Sequence, residues 1–169
     1  MTVFRGWDDY VERLEKNWRA LVAPEDTVVI AGDISWAMSL EETLEDFRFL
    51  QSLPGRKLLF KGNHDYWWTT RRKMDNFLAD NGLDSLAFVH NDAVEVDGRF
   101  AVCGTRGWFY DDSEPDNGKI LRREAARLQT SLDAALKTGL EHKVYIRYPE
   151  CFSGRRSPSR LSLLLHPDV

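Results

Sequence analysis

Lys61-Gly62-Asn63-His64-Asp65-Tyr66-Trp67-Trp68 sets an amide oxygen, an imidazole and a carboxylate side by side, directly after the apolar run Leu58-Leu59-Phe60. A short apolar run followed by Gly62 is the pattern of a buried strand leaving its sheet, and Tyr66 onward reads as a helix that Asp65 is placed to cap. Asn63 and His64 then sit on a strand-to-helix loop, and in an open α/β sheet such loops form the crevice where ligands bind. A second loop of this kind lies upstream, where Thr27-Val28-Val29-Ile30-Ala31 runs into Gly32-Asp33. One helix-length segment separates the two strands, so the simplest topology is a βαβ unit with Asp33 and Asn63-His64 at the same edge. Adjacent strands lie about 4.8 Å apart, which lets one metal site draw side chains from both loops.

Outward from this centre the periodicity defines further elements. Trp7, Tyr10, Val11, Leu14, Trp18, Leu21 and Val22 recur at three- and four-residue steps, predicting an amphipathic helix capped by Asp8 or Asp9 and closed by Pro24, its tryptophans serving as core anchors. Ser39-Leu40-Glu41-Glu42 has the form of a capping box, so a helix starts there and runs to Pro54-Gly55. Residues 66–79 read as a helix stopped by Asn81-Gly82; Arg71, Arg72 and Lys73 near its start form either a solvated face or a stripe that steers an anion. Residues 86–89, 93–96 and 100–103 are short strands, the last two joined by the hairpin turn Asp97-Gly98. His90, just after the first of them, reads as a surface histidine. Gly104-Thr105-Arg106-Gly107-Trp108 is a third glycine-flanked polar loop at a strand end, followed by an acidic exposed loop at 111–118, a long helix at 120–140 and a strand at 142–148.

With 169 residues, 43% of them hydrophobic, the chain supports one ordinary domain, assigned to residues 1–148. Residues 149–169 are basic and rich in Ser, Arg and Pro, and are expected to pack poorly. A formal net charge of -4 argues against general nucleic-acid binding except as a substrate. The two cysteines lack metal-type spacing and form no disulfide framework, which suits a cytoplasmic protein. The N-terminus has no apolar signal segment, and no run approaches the ~18 apolar residues of a membrane span.

The chemistry of the cluster follows from its ligand types. A carboxylate on one loop and an asparagine oxygen on the next suit divalent cations such as Mn, Fe or Zn. In a two-metal site one carboxylate is shared between ions about 3.5 to 4 Å apart that clamp a phosphoryl group. His64 is then presented to the substrate to stabilise charge or protonate the leaving oxygen, while Asp65 orients the loop or caps the helix. Gly-Asp after a strand is common in turns; Gly-Asn-His-Asp thirty positions later, in a second βα unit, is much sharper.

Gly32-Asp33 and Gly62-Asn63-His64-Asp65 together resemble the calcineurin-like metallophosphoesterases, and the longer strings at 32–38, 62–68 and 104–108 resemble one bacterial branch of them. The resemblance implies an α/β fold, a metallophosphoesterase-like β-sandwich flanked by helices, with two divalent metal ions and hydrolysis of phosphomonoesters or phosphodiesters. By matching motifs, Asp33 is the bridging ligand, Asn63 a ligand of the second metal and His64 the catalytic histidine. Arg106 matches no motif; as a cation on a strand-end loop it holds a substrate phosphate oxygen or pairs with a surface carboxylate.

The pattern also breaks. The family opens with a strand carrying Asp-x-His, whereas this chain begins with the helix that would follow it. Arg147 stands before Tyr148-Pro149 where the family places a histidine, and a guanidinium does not coordinate metal. No Gly-His-x-His follows, since His166 precedes Pro167. An ion such as zinc takes about four ligands, and only Asp33 and Asn63 match. The expectation is an incomplete fold that binds at most one metal weakly and has little or no activity alone. Self-association through an exposed sheet edge is a further expectation. The alternative is a non-catalytic remnant of the fold that binds phosphate or a protein partner.

Overall fold

A computed structural model describes residues 9–106 and 117–147, without the side chains of Asn117 and Arg147. Trp7, the acidic loop from 111 to 116, and the tail from 149 lie outside the described residues. In chain order the elements are α1 (Tyr10–Leu21), β1 (Thr27–Ile30), α2 (Leu44–Ser52), β2 (Arg56–Leu59), α3 (Arg71–Asp80), β3 (Leu86–Phe88), β4 (Ala93–Val96), β5 (Phe100–Thr105), α4 (Asn117–Lys137) and β6 (His142–Arg147).

The strands form two sheets. One has the order β1-β2-β3, all parallel, with Val28 opposite Lys57 and Ile30 opposite Leu59; α2 and α3 are its crossovers. The other has the order β4-β5-β6, antiparallel across the hairpin and parallel across the α4 crossover. Asp97 and Gly98 both have positive φ (55° and 63°), the conformation a tight hairpin turn needs.

Strand alternation assigns the layers. Leu58, Phe60 and Val89 from the first sheet meet Val96, Val102 and Ile146 from the second, forming the interior of a sandwich. Leu59 and Phe88 point the other way, into a core with Phe47, Leu50, Trp67, Met74 and Leu78 beneath α2 and α3. On the outer face of the second sheet Ala101 and Cys103 are small enough for Ala135 of α4 to pack directly on them. Ser131 fixes that helix: its hydroxyl accepts from Gly104 N (2.9 Å) and donates to Asp92 O (2.7 Å). The architecture is therefore helices, sheet, sheet, helix, a β-sandwich flanked by helices. Among the described residues no helix is long and apolar enough to cross a membrane.

Three local expectations change. The Ser39 box does not cap α2. A 3-10 turn over Glu41–Thr43 precedes that helix, and Glu42 Oε2 accepts from Met38 N (2.9 Å) because the chain arrives from a loop held elsewhere. The apolar face of α1 is largely open, with Leu14 and Leu21 exposed, since no described element stacks over it. Among the described residues of that stripe, Trp18 serves as an anchor at the rim of the core, its indole N–H donating to Pro54 O (3.0 Å). The segment after Asp65 stays non-helical until Arg71, because Trp67 and Trp68 turn into the core and Trp67 Nε1 donates to Ser35 O (3.1 Å).

Gly104 is where the two sheets and β6 close most tightly. A Cβ there would lie 2.0 Å from Ile146 O and 3.0 Å from the Phe60 ring. Gly104→Ala is expected to lower stability by about 1–3 kcal/mol, whereas Gly98→Ala, with open space around it, should lose only the roughly 1 kcal/mol of left-handed strain. Urea unfolding of both variants measures the difference.

Candidate metal and phosphate site

The site is built on the carboxylate of Asp65, which is 1% exposed. Its Oδ2 accepts from Gly62 N (2.7 Å) and Asp33 N (2.9 Å), and its Oδ1 from Ile34 N (2.8 Å) and Ser35 N (3.3 Å). One side chain thus satisfies four backbone donors drawn from both strand-end loops. Burial pushes the Asp65 carboxyl up, and the four N–H donors pull it back toward the ionised form. This is the loop-orienting role; Asp65 caps no helix.

Held in this way, the two loops touch. Asp33 adopts a left-handed φ of 53°, and a Cβ on Gly62 would lie 2.2 Å from both Asp33 N and Asp33 Oδ1. Only glycine permits that approach. Asp33 Oδ1 accepts from His64 N (2.9 Å), and Asp33 Oδ2 lies 3.0 Å from His64 Nδ1. Between Gly62 and His64, the side-chain oxygen of Asn63 is buried without a hydrogen-bond partner. Such an acceptor costs about 1–3 kcal/mol unless something fills its place.

The imidazole of His64 is also held by rings. Trp36 stacks on it with centroids 4.9 Å apart and planes 3° from parallel, and Tyr66 meets it edge-on at 6.1 Å. Trp36 and Tyr66 are themselves 66% and 57% exposed. These rings therefore border the histidine as an open aromatic rim. Nothing in the spacing of the sequence distinguishes Trp36 from a core tryptophan.

Arg106 stands directly after the end of β5. It lines a cavity of about 310 Å³ at the carboxyl ends of β2, β3 and β5, with Lys61, His90, Arg123, Glu124 and Arg127 around it. Burial, then the neighbouring Arg106 and Arg127, lowers the Lys61 pKa. His90, expected at the surface, is half-buried: it borders this cavity, Trp68 Nε1 lies 3.5 Å from its Nδ1, and burial followed by Lys61 lowers its pKa. The basic stripe on α3 divides, because Arg71 pairs with Asp75 (2.8 Å) and Asp92, tying the helix to the β3–β4 loop, while Arg72 and Lys73 stay exposed.

The partnerless Asn63 oxygen and the Asp33 carboxylate, on loops tied together by the His64 N–H, are donor types that suit a hard or borderline cation completed by water. Among the described residues no group of three or more His, Cys, Asp or Glu is placed to hold a metal.

Comparison with known proteins shows a family and a structural likeness. The calcineurin-like phosphoesterase family matches residues 4–143. A crystal structure of a protein of unknown function from Aquifex aeolicus is similar at 21% identity and a TM-score of 0.41, covering 84% of this chain. The chain spans 64% of the length of that structure. No curated protein matches.

If Asp65 joins the two loops, Asp65→Ala leaves four backbone donors without their acceptor and should cost at least about 3 kcal/mol in urea unfolding. Asp65→Asn, which keeps the shape and one acceptor oxygen, should cost less. Equal stability of Asp65→Ala and the wild type would contradict the assignment.

Proposed function

We propose that this chain, which belongs to the calcineurin-like phosphoesterase family, hydrolyses phosphomonoesters or phosphodiesters with a divalent ion, Mn, Fe or Zn, held between Asp33 and Asn63. The observation that supports this reading is the buried Asn63 oxygen that lacks a partner, on a loop that the adjacent His64 N–H ties to the Asp33 carboxylate. When bound, such an ion withdraws charge from the phosphoryl group and lowers the pKa of a water.

The chain's own residues supply the rest. Asp65 sets the spacing of the ligand loops through four hydrogen bonds, so the two oxygens do not have to be ordered when a cation arrives. Asp33 Oδ2 engages His64 Nδ1, which leaves Nε2 as the ring nitrogen that meets substrate. From there His64 steadies the phosphoryl oxygens or gives a proton to the leaving oxygen. Stacking against Trp36 keeps the imidazole plane fixed while it does so. Arg106, at the end of β5, holds a substrate phosphate oxygen.

Two matched ligands support weak uptake of a single ion, and this favours a second reading in which the same crevice binds phosphate without turnover. Metal analysis after Mn loading, paired with turnover of a chromogenic phosphodiester, separates the two. Asp33→Ala and Asn63→Ala are each expected to abolish uptake. His64→Gln should retain the ion while lowering kcat by roughly 10²–10⁴. Metal uptake by wild type with no turnover selects the non-catalytic reading, and uptake untouched by Asp33→Ala removes both.

A further inference from the structure

The cavity beyond Lys61 is the second built feature at this end of the sandwich. Among the described residues its walls carry the cations Lys61, Arg106, Arg123 and Arg127 and the carboxylate of Glu124. Four cations sharing a small space repel one another, and the apolar floor of Phe60, Val89 and Ile120 weakens their screening. Such an arrangement is stabilised by an anion entering it.

Glu124 narrows the choice of anion. It is 7% exposed, and its Oε1 accepts from Arg127 Nη1 while its Oε2 is buried without a hydrogen-bond partner. A carboxylate oxygen only accepts, so what completes it must donate. An anion that also carries an O–H group answers both the cations and Glu124: hydrogenphosphate does, and sulfate at neutral pH does not.

We infer that this cavity is a subsite for a second phosphate group, with Lys61, Arg123 and Arg127 contacting its oxygens and Glu124 Oε2 accepting from its hydroxyl. Lys61 stands two residues before Asn63 on the same loop. Taken with the phosphoesterase reading, on which this part rests, the subsite makes the preferred substrate a phosphoester bearing at least one further phosphate group. The cavity volume of about 310 Å³ lies at the small end of ligand sites, which suits a phosphate and its immediate attachment rather than a whole nucleotide.

The test is calorimetric titration of inorganic phosphate, and separately of sulfate, into the metal-free full chain at pH 7. Phosphate should bind at least tenfold more tightly than sulfate, and Glu124→Gln, whose amide supplies a donor as well as an acceptor, should erase that preference. Lys61→Gln should weaken phosphate about tenfold, the effect of losing one charged hydrogen bond. Arg123→Glu should do at least as much. Because Arg123 is exposed, that variant should keep the wild-type unfolding midpoint and hold the test open if Lys61→Gln folds poorly. Asn63→Ala should bind phosphate as the wild type does. No phosphate binding, equal binding of sulfate, or binding lost in Asn63→Ala but kept in Arg123→Glu overturns the inference. Loss of Mn uptake with phosphate binding intact instead counts against the phosphoesterase reading and leaves the subsite standing.

Discussion

Four backbone N–H groups converging on the carboxylate of Asp65 are the constraint from which the site follows. Two loops that leave neighbouring strands would otherwise diverge, each with buried donors in need of acceptors. A single side chain satisfies both loops, and in doing so fixes Asp33 in a left-handed conformation and brings it onto His64. The Gly62 position is the counterpart of this constraint, because any side chain there would occupy the space of Asp33.

The layers supply the platform. Parallel pairing of β1 with β2 sets the two loops at one edge of the sheet, and Trp67 and Trp68 draw the chain after Asp65 down into the aromatic core around Phe47 and Phe88. That packing costs the segment its helix until Arg71, and it leaves the stretch from Asn63 to Tyr66 as a non-helical turn in which Asp65 is buried and Tyr66 exposed. At the other end of the crevice, α4 is pinned by Ser131 and contributes Glu124 and Arg127 to the cavity wall. The Asp33 and Asn63 loops and the cationic cavity are thus held by different elements, joined through Lys61.

Much of the strand framework was legible in the sequence, because β1, β2 and β5 each carry a short apolar run that leads into a glycine. The hairpin at Asp97-Gly98 and the adjacency of the Asp33 and Asn63 loops were readable for the same reason. What periodicity does not carry is the direction in which a polar side chain satisfies its partners. Asp65 looks like a helix cap in sequence and is instead a tie between loops. His90, flanked by Asn91 and Asp92, reads as exposed, yet Trp68 and Lys61 enclose it. The α1 stripe signalled burial that no described element provides, and Arg123, Glu124 and Arg127 look like an ordinary solvated helix face until β5 and β2 are placed opposite them. Arg106 was placed at a strand end from sequence, but only the coordinates give it Lys61 and Arg127 as neighbours.

The central claim is that Asp33 and Asn63 offer their oxygens to the same cation. Paramagnetic broadening of a ¹⁵N-labelled sample during a Mn²⁺ titration reads this directly, amide by amide. Expected at substoichiometric Mn²⁺ is loss of the Asp33, Gly62, Asn63 and His64 signals while those of the distant β4 residues persist. Broadening centred instead on exposed carboxylates such as Glu45 and Asp46, with the Asn63 loop unaffected, would contradict it.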